Sequence, residues 1–224
     1  MRSRVCCSLL LAAVSQCIGG TILYDNGPPA TSFGGIQMTT QLLAEDFSLP
    51  YSSLLTGVRF WSLEARGTTV YQGSIYWGIY SNTASNLPTM VPLFSGLLLS
   101  PNKVATGRTA DLGPYTFDEY QYDFALPDIL LSPGTWWLAL HHGPLSFIVV
   151  DQFSWQQTNP NATFGTAVQN TVGNPWISSG TQSAFQLSGE VIPEPSSIAL
   201  VGIGLTTLAW FSRRRSGFLS ESIE

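Results

Sequence analysis

Two histidines, six tryptophans and eleven carboxylates are the side chains between residues 21 and 192 with most chemistry to offer. His141 and His142 are adjacent in an apolar run that starts at Trp136. On a strand their side chains point to opposite faces, so they cannot both ligate one metal ion. A single histidine near a strand end reads as a packing or hydrogen-bonding residue. The chain has no serine-nucleophile elbow and no paired-histidine metalloprotease motif. Glycoside hydrolysis needs two carboxylates facing a sugar across a cleft. The densest acidic run is Asp111, Asp118, Glu119, Asp123 and Asp128. It offers the oxygen ligands calcium favours but not the regular spacing of a calcium loop, and it reads as a solvated strand edge that discourages pairing. Catalytic residues, metal ligands and cofactors are therefore all expected to be none. Tryptophan faces can stack on pyranose rings or fill a core. Of the adjacent Trp136 and Trp137, one is expected inward and one outward, and Trp137, Trp155 and Trp176 are the exposed candidates for holding extracellular polysaccharide.

The elements that must position these residues are short strands. Val58–Trp61, Ser74–Tyr80, Tyr120–Leu126, Trp136–His141, Phe147–Asp151 and Ala184–Ser188 are rich in aromatic and β-branched residues and partly alternate. Turn clusters separate them, among them Ser81-Asn82, Ser100-Pro101-Asn102, Gly113-Pro114, Ser132-Pro133-Gly134, Gly143-Pro144 and Gly173-Asn174-Pro175. This spacing predicts an all-β fold, an antiparallel β-sandwich, jelly-roll-like, of about eight to ten strands over residues 21–190. Asn161-Ala162-Thr163 matches a glycosylation acceptor pattern and reads as a loop.

Charge is informative through its placement. The chain has 9 basic and 14 acidic side chains, but between residues 21 and 192 only Arg59, Arg66, Lys103 and Arg108 face eleven acids, a net of −7. Such a surface lacks the footprint needed for a phosphate backbone, which argues against nucleic acid as a partner. The three cysteines, Cys6, Cys7 and Cys17, all fall near the N-terminus. Residues 1–20 read as a signal peptide: Arg2 and Arg4, then an apolar stretch Val5–Val14, then small residues up to Gly20. Signal peptidase is the partner this implies, and cleavage beyond Cys17 leaves no cysteine for a disulfide or thiolate site. A lipoprotein signal with Cys17 lipidated is the alternative, against which Gln16 stands where a small residue is wanted.

The C-terminal segment, 191–224, carries the most specific pattern. Pro193, Glu194 and Pro195 precede an apolar, uncharged run from Ile198 to Phe211, which is followed by Arg213, Arg214 and Arg215. At 1.5 Å per residue, a transmembrane helix over 196–212 is about 25 Å long, enough for a thin bilayer. The arginines act as a stop-transfer cluster that stays cytoplasmic and places the preceding domain outside. Two prolines so close together mark an extended, exposed hinge where a membrane protease can reach the chain.

In this order the three features resemble the PEP-CTERM sorting signal. The resemblance implies recognition and processing by an exosortase-like enzyme. It covers about the last thirty residues, and the stretch Ser216–Glu224 is longer than the basic end usual in that family. The segments Ile22–Gly27, Ala44–Phe47 and Trp137–His141 look like ectodomains that recur with the same tail. That likeness implies a β-sandwich of unassigned biochemistry and carries over no catalytic residue. The expectation is an exported protein, membrane-anchored with its β domain outside the cytoplasm and then at the cell surface or secreted, with a non-enzymatic structural or adhesive role in the cell envelope or extracellular matrix. A surface-presented carbohydrate-binding module and a polysaccharide hydrolase or lyase are the alternatives.

Overall fold

The computed structural model describes residues 20–67, 73–147, 152–159 and 165–193. The expected signal peptide up to residue 19, the loop at Asn161, and everything from Glu194 onward, including the 196–212 helix and Arg213–Arg215, lie outside them. Among the described residues there are thirteen strands and no helix. They are β1 (Thr21–Asp25), β2 (Gly35–Gln37), β3 (Leu42–Leu49), β4 (Ser53–Ala65), β5 (Ser74–Ser81), β6 (Phe94–Leu99) and β7 (Asn102–Leu112). The chain continues with β8 (Tyr115–Leu131), β9 (Gly134–His142), β10 (Phe153–Gln156), β11 (Ala167–Gln169), β12 (Ile177–Ser178) and β13 (Phe185–Val191). Phe147, expected to begin a strand, falls outside any strand, and the rest of that stretch lies outside the described residues.

The strands form two antiparallel sheets. The first runs β1-β13-β4-β10-β2, with β8 on the other side of β4 and β7 beyond it; the second runs β12-β11-β3-β9-β5-β6. The pairs β1–β13, β3–β9 and β4–β8 are nested in sequence around β5 and alternate between the two sheets. Alternation places one face of each strand in a shared core. Leu43, Phe47 and Leu49 of β3, Leu138 and Leu140 of β9 and Ile75 and Ile79 of β5 meet Val58 and Phe60 of β4, Tyr122 and Phe124 of β8, and Phe185 and Leu187 of β13. Each such side chain contributes about 1.5–3 kcal/mol on full burial, and this cluster is the main source of stability. In β8 the buried parity changes from Tyr122, Phe124 and Leu126 to Ile129 and Leu131. The change coincides with an irregularity in the ladder at Leu55–Gly57, because an unmatched residue count turns the following side chains to the other face.

The second sheet is also covered on its outer face over β3, β9, β11 and part of β5. Leu42, Ala44, Tyr80, Trp137, Ala139, Ala167 and Trp176 form a separate buried cluster there. The β7–β8 hairpin closes through Gly113-Pro114, where Gly113 has φ +63°. A positive φ followed by proline is the type II′ solution that suits strand twist, and only glycine adopts it without strain.

Candidate functional site

The ends of the two-sheet unit come together at one place. β1 and β13 pair antiparallel with Thr21 opposite Gly189, so the residues that enter and leave the unit are neighbours. Gly189 is packed between the Leu54 backbone and the Leu23 side chain: a Cβ on it would lie 2.0 Å from Leu54 O and 2.8 Å from Leu23 Cδ1. Beyond it Val191 pairs with Ser53, and Ile192 donates its N–H to Ser52 O at 2.8 Å. The ladder stops at Pro193, which has no N–H to donate and is exposed. Ile192 alone separates the last residue of β13 from Pro193. Exposed apolar residues surround this exit: Ile22, Tyr51, Leu130, Val191 and Ile192. Of the sequence-predicted motif only Pro193 is described; Glu194, Pro195 and the three arginines lie beyond.

The three candidate stacking tryptophans are buried, which corrects the expectation that they are exposed. Trp137 and Trp155 are 0 % exposed and Trp176 5 %, leaving no ring face for a sugar. Trp155 sits in the inter-sheet core edge-on to Phe60 and Phe185, its Nε1–H donating to Ala184 O at 2.9 Å. Trp136 and Trp137 do point to opposite faces. Trp136 packs against the inter-sheet core and is half-buried, while Trp137 points to the outer face. That face is covered, with Trp137 donating to Asn82 Oδ1 at 2.9 Å and Trp176 donating to Thr89 O at 3.0 Å. Trp176 also lies edge-on to Tyr80 with ring centroids 5.5 Å apart. Burial raises the Tyr80 phenol far above its ordinary value, helped by its contact with the Tyr76 hydroxyl. Pleat parity is legible in sequence, but the loops that cover an outer face are not.

Within the acidic run, Asp118, Glu119 and Asp123 are likewise not on a solvated edge, since β8 lies between β4 and β7 and all three meet cations, whereas Asp111 on the outer strand β7 and Asp128 are exposed as expected. Arg66 holds Asp118 through two hydrogen bonds, Nε to Oδ2 at 2.8 Å and Nη2 to Oδ1 at 2.6 Å. This contact lowers the Asp118 carboxyl below its ordinary value and raises Arg66. Arg59 donates to Asp123 at 2.6 Å, and Arg108 donates to the buried Glu119 at 2.8 Å and to Ala30 O at 2.9 Å. Lys103 reaches Glu64 Oε2 at 2.6 Å, while Tyr122 (2.6 Å) and Ser62 (3.0 Å) donate to Glu64 Oε1. Lys103 also lies 3.8 Å from the centre of the Tyr120 ring. Because Leu63 pairs with Glu119, Glu64 and Glu119 point to opposite faces of the first sheet and do not face each other. Among the described residues no three of His, Cys, Asp and Glu form a group able to hold a metal ion.

Both histidines are fully buried, one on each face of β9. His142 stacks on Phe153 at 4.2 Å between ring centres. His141 Nδ1 lies 3.1 Å from Gly143 O, and since a carbonyl only accepts, Nδ1 is the donor in that contact.

Sequence reasoning did not single out Glu45. Its side chain shares a face of β3 with Leu43 and Phe47 and is 0 % exposed between the sheets. Oε1 receives the Ser183 N–H at 2.8 Å and contacts the Thr166 hydroxyl. Desolvation by burial raises its pKa from an ordinary 4.5 to about 8; Thr166 and Ser183 pull it down, and the neighbouring Asp46 adds a smaller upward push. At neutral pH it is therefore the neutral acid. The Thr166 hydroxyl also lies 3.1 Å from Thr181 O. The signal was present in sequence as an acid flanked by Leu42-Leu43-Ala44 and Phe47, where the strand's core face should be apolar.

With this geometry in place, the exit at Pro193 is where the chain meets a known protein feature. Residues 191–215 match the PEP-CTERM protein-sorting motif. The chain therefore carries that motif, which implies an exported, membrane-associated protein processed by an exosortase. No curated protein and no solved structure matches the chain.

Proposed function

We propose that this protein is delivered to the outside of the cell and sorted through its C-terminal tail, and that its β domain, a jelly-roll-like sandwich, serves a non-enzymatic structural or adhesive role in the cell envelope or extracellular matrix. The observation that carries this reading is the sorting motif beginning where β13 ends. The adjacency of Thr21 and Gly189 supports it, because a signal segment and a membrane tail leaving the same end let one bilayer hold both. Nesting of the strand pairs around β5 supports the jelly-roll reading. The non-enzymatic reading is supported by the engagement of Glu64, Glu119, Asp118 and Asp123 with cations.

The test compares the native chain with Glu194→Ala in its host, by intact mass and by cell fraction. Sorting predicts that the native protein loses the residues after the Pro193 region while the variant accumulates uncut in the membrane. If both keep the tail and fractionate alike, the motif is only a hinge before a plain single-pass anchor.

A further inference from the structure

Sheet edges are ready templates for pairing, and proteins blunt them with charges, prolines, bulges or very short strands. Three edges of this fold are blunted in those ways. The edge strand β7 carries Lys103, Arg108 and Asp111 and an irregularity between Ala105 and Thr109. The edge strand β12 has two residues, and the β1–β2 edge is split between two short strands. The fourth edge, β6, has none of these protections. It ends the second sheet, pairs with β5 in unbroken register, and contains no proline between Pro92 and Pro101. No Asp, Glu, Lys, Arg or His occurs anywhere between Arg66 and Lys103.

The same edge is apolar. Val91 is 74 % exposed and Leu99 70 %, and Met90, Leu93, Phe94 and Leu97 are exposed beside them. Large apolar side chains left in water along a strand whose far side has no partner among the described residues fit an interface that the isolated chain does not fill.

We propose that β6 is a pairing edge for a second copy of this chain, joining two second sheets into one continuous antiparallel sheet about a two-fold axis. Self-pairing is favoured over another partner by charge. The segment from residue 21 to 192 carries a net of −7, so two copies repel over most of their surface and meet without repulsion only where charge is missing. A basic or acidic partner finds no group on β6 to pair with. A two-fold axis normal to the sheet sets the two β6 strands antiparallel, the arrangement in which their free N–H and C=O groups can be exchanged. Covering the six side chains on both copies would remove at most on the order of 1,200 Å2 from water, the lower end of the range for specific interfaces. Gly96, whose absent Cβ would lie 2.9 Å from the Trp77 ring, keeps the strand close and flat against β5. This inference does not rest on the sorting reading.

The test is sedimentation equilibrium of the full chain in non-denaturing detergent, native against Leu97→Lys/Leu99→Lys, with Val104→Lys on the protected β7 edge as the control and circular dichroism to verify folding. Leu97 and Leu99 are exposed, so their loss leaves the core intact, and like charges across a strand pair oppose pairing. Native and Val104→Lys chains are expected to dimerise with the same dissociation constant, and the double variant to be weakened at least about tenfold. A native chain that stays monomeric, or a double variant that dimerises as tightly as Val104→Lys, overturns the proposal. A dimer held by the tail gives the second result, and neither result bears on whether Glu194→Ala blocks processing.

Discussion

Glu45 makes the stability of this protein depend on pH in a direction opposite to ordinary acid denaturation. Its carboxyl holds a proton in the folded chain up to about pH 8, whereas in the unfolded chain it releases it near 4.5. Between those values the folded state binds more protons than the unfolded state, so stability falls as pH rises and levels off above pH 8. At 1.36 kcal/mol per pKa unit, the loss from pH 5 to pH 8 is about 3 kcal/mol. With a urea dependence of about 2 kcal/mol per molar, that loss lowers the midpoint by about 1.5 M. The assay is urea unfolding followed by tryptophan fluorescence at intervals across this range, for the native chain and for Glu45→Gln. The amide cannot titrate, so its midpoint is expected to lack this slope, whatever constant offset the buried NH2 group introduces. Identical slopes for the two chains would refute the reasoning, since the pH dependence would then belong to other groups.

Two further outcomes follow from the same physics. Glu64 is 6 % exposed and accepts from Lys103, Tyr122 and Ser62, so Glu64→Ala removes the acceptor of three donors and is expected to cost about 3 kcal/mol, whereas Asp118→Asn at the exposed Arg66 pair costs far less; paired urea midpoints at pH 7 check the contrast. Because the Cβ added by Gly189→Ala would lie 2.0 Å from Leu54 O, β13 is expected to separate from β4 near its end, read as faster hydrogen exchange at Ile192, whose N–H bonds to Ser52 O, and as easier proteolysis near Pro193; unchanged exchange at that amide would count against the close approach.

The sequence by itself determined what rests on local chemistry. Strand-forming runs at Val58, Ser74, Tyr120 and Trp136 fall within β4, β5, β8 and β9, and the run from Ala184 overlaps β13 from Phe185, because aromatic and β-branched residues between turn residues favour extended conformations. The motif match over residues 191–215 was equally legible, since a linear signal read by another protein needs no fold to be recognised in sequence. The opposite orientation of Trp136 and Trp137 followed from the pleat alone. The burial of Trp137 did not, because the groups that meet it come from Asn82 and Trp176, distant in sequence and joined only by the packed chain. For the same reason the acids of β8 read as solvated until their cations arrived from β4, β7 and the loop at Arg66. Which edge is left open, and which carboxyl is sealed between the sheets, are properties of strand order and of desolvation. Both are set by long-range pairing, so only the tertiary structure decided them.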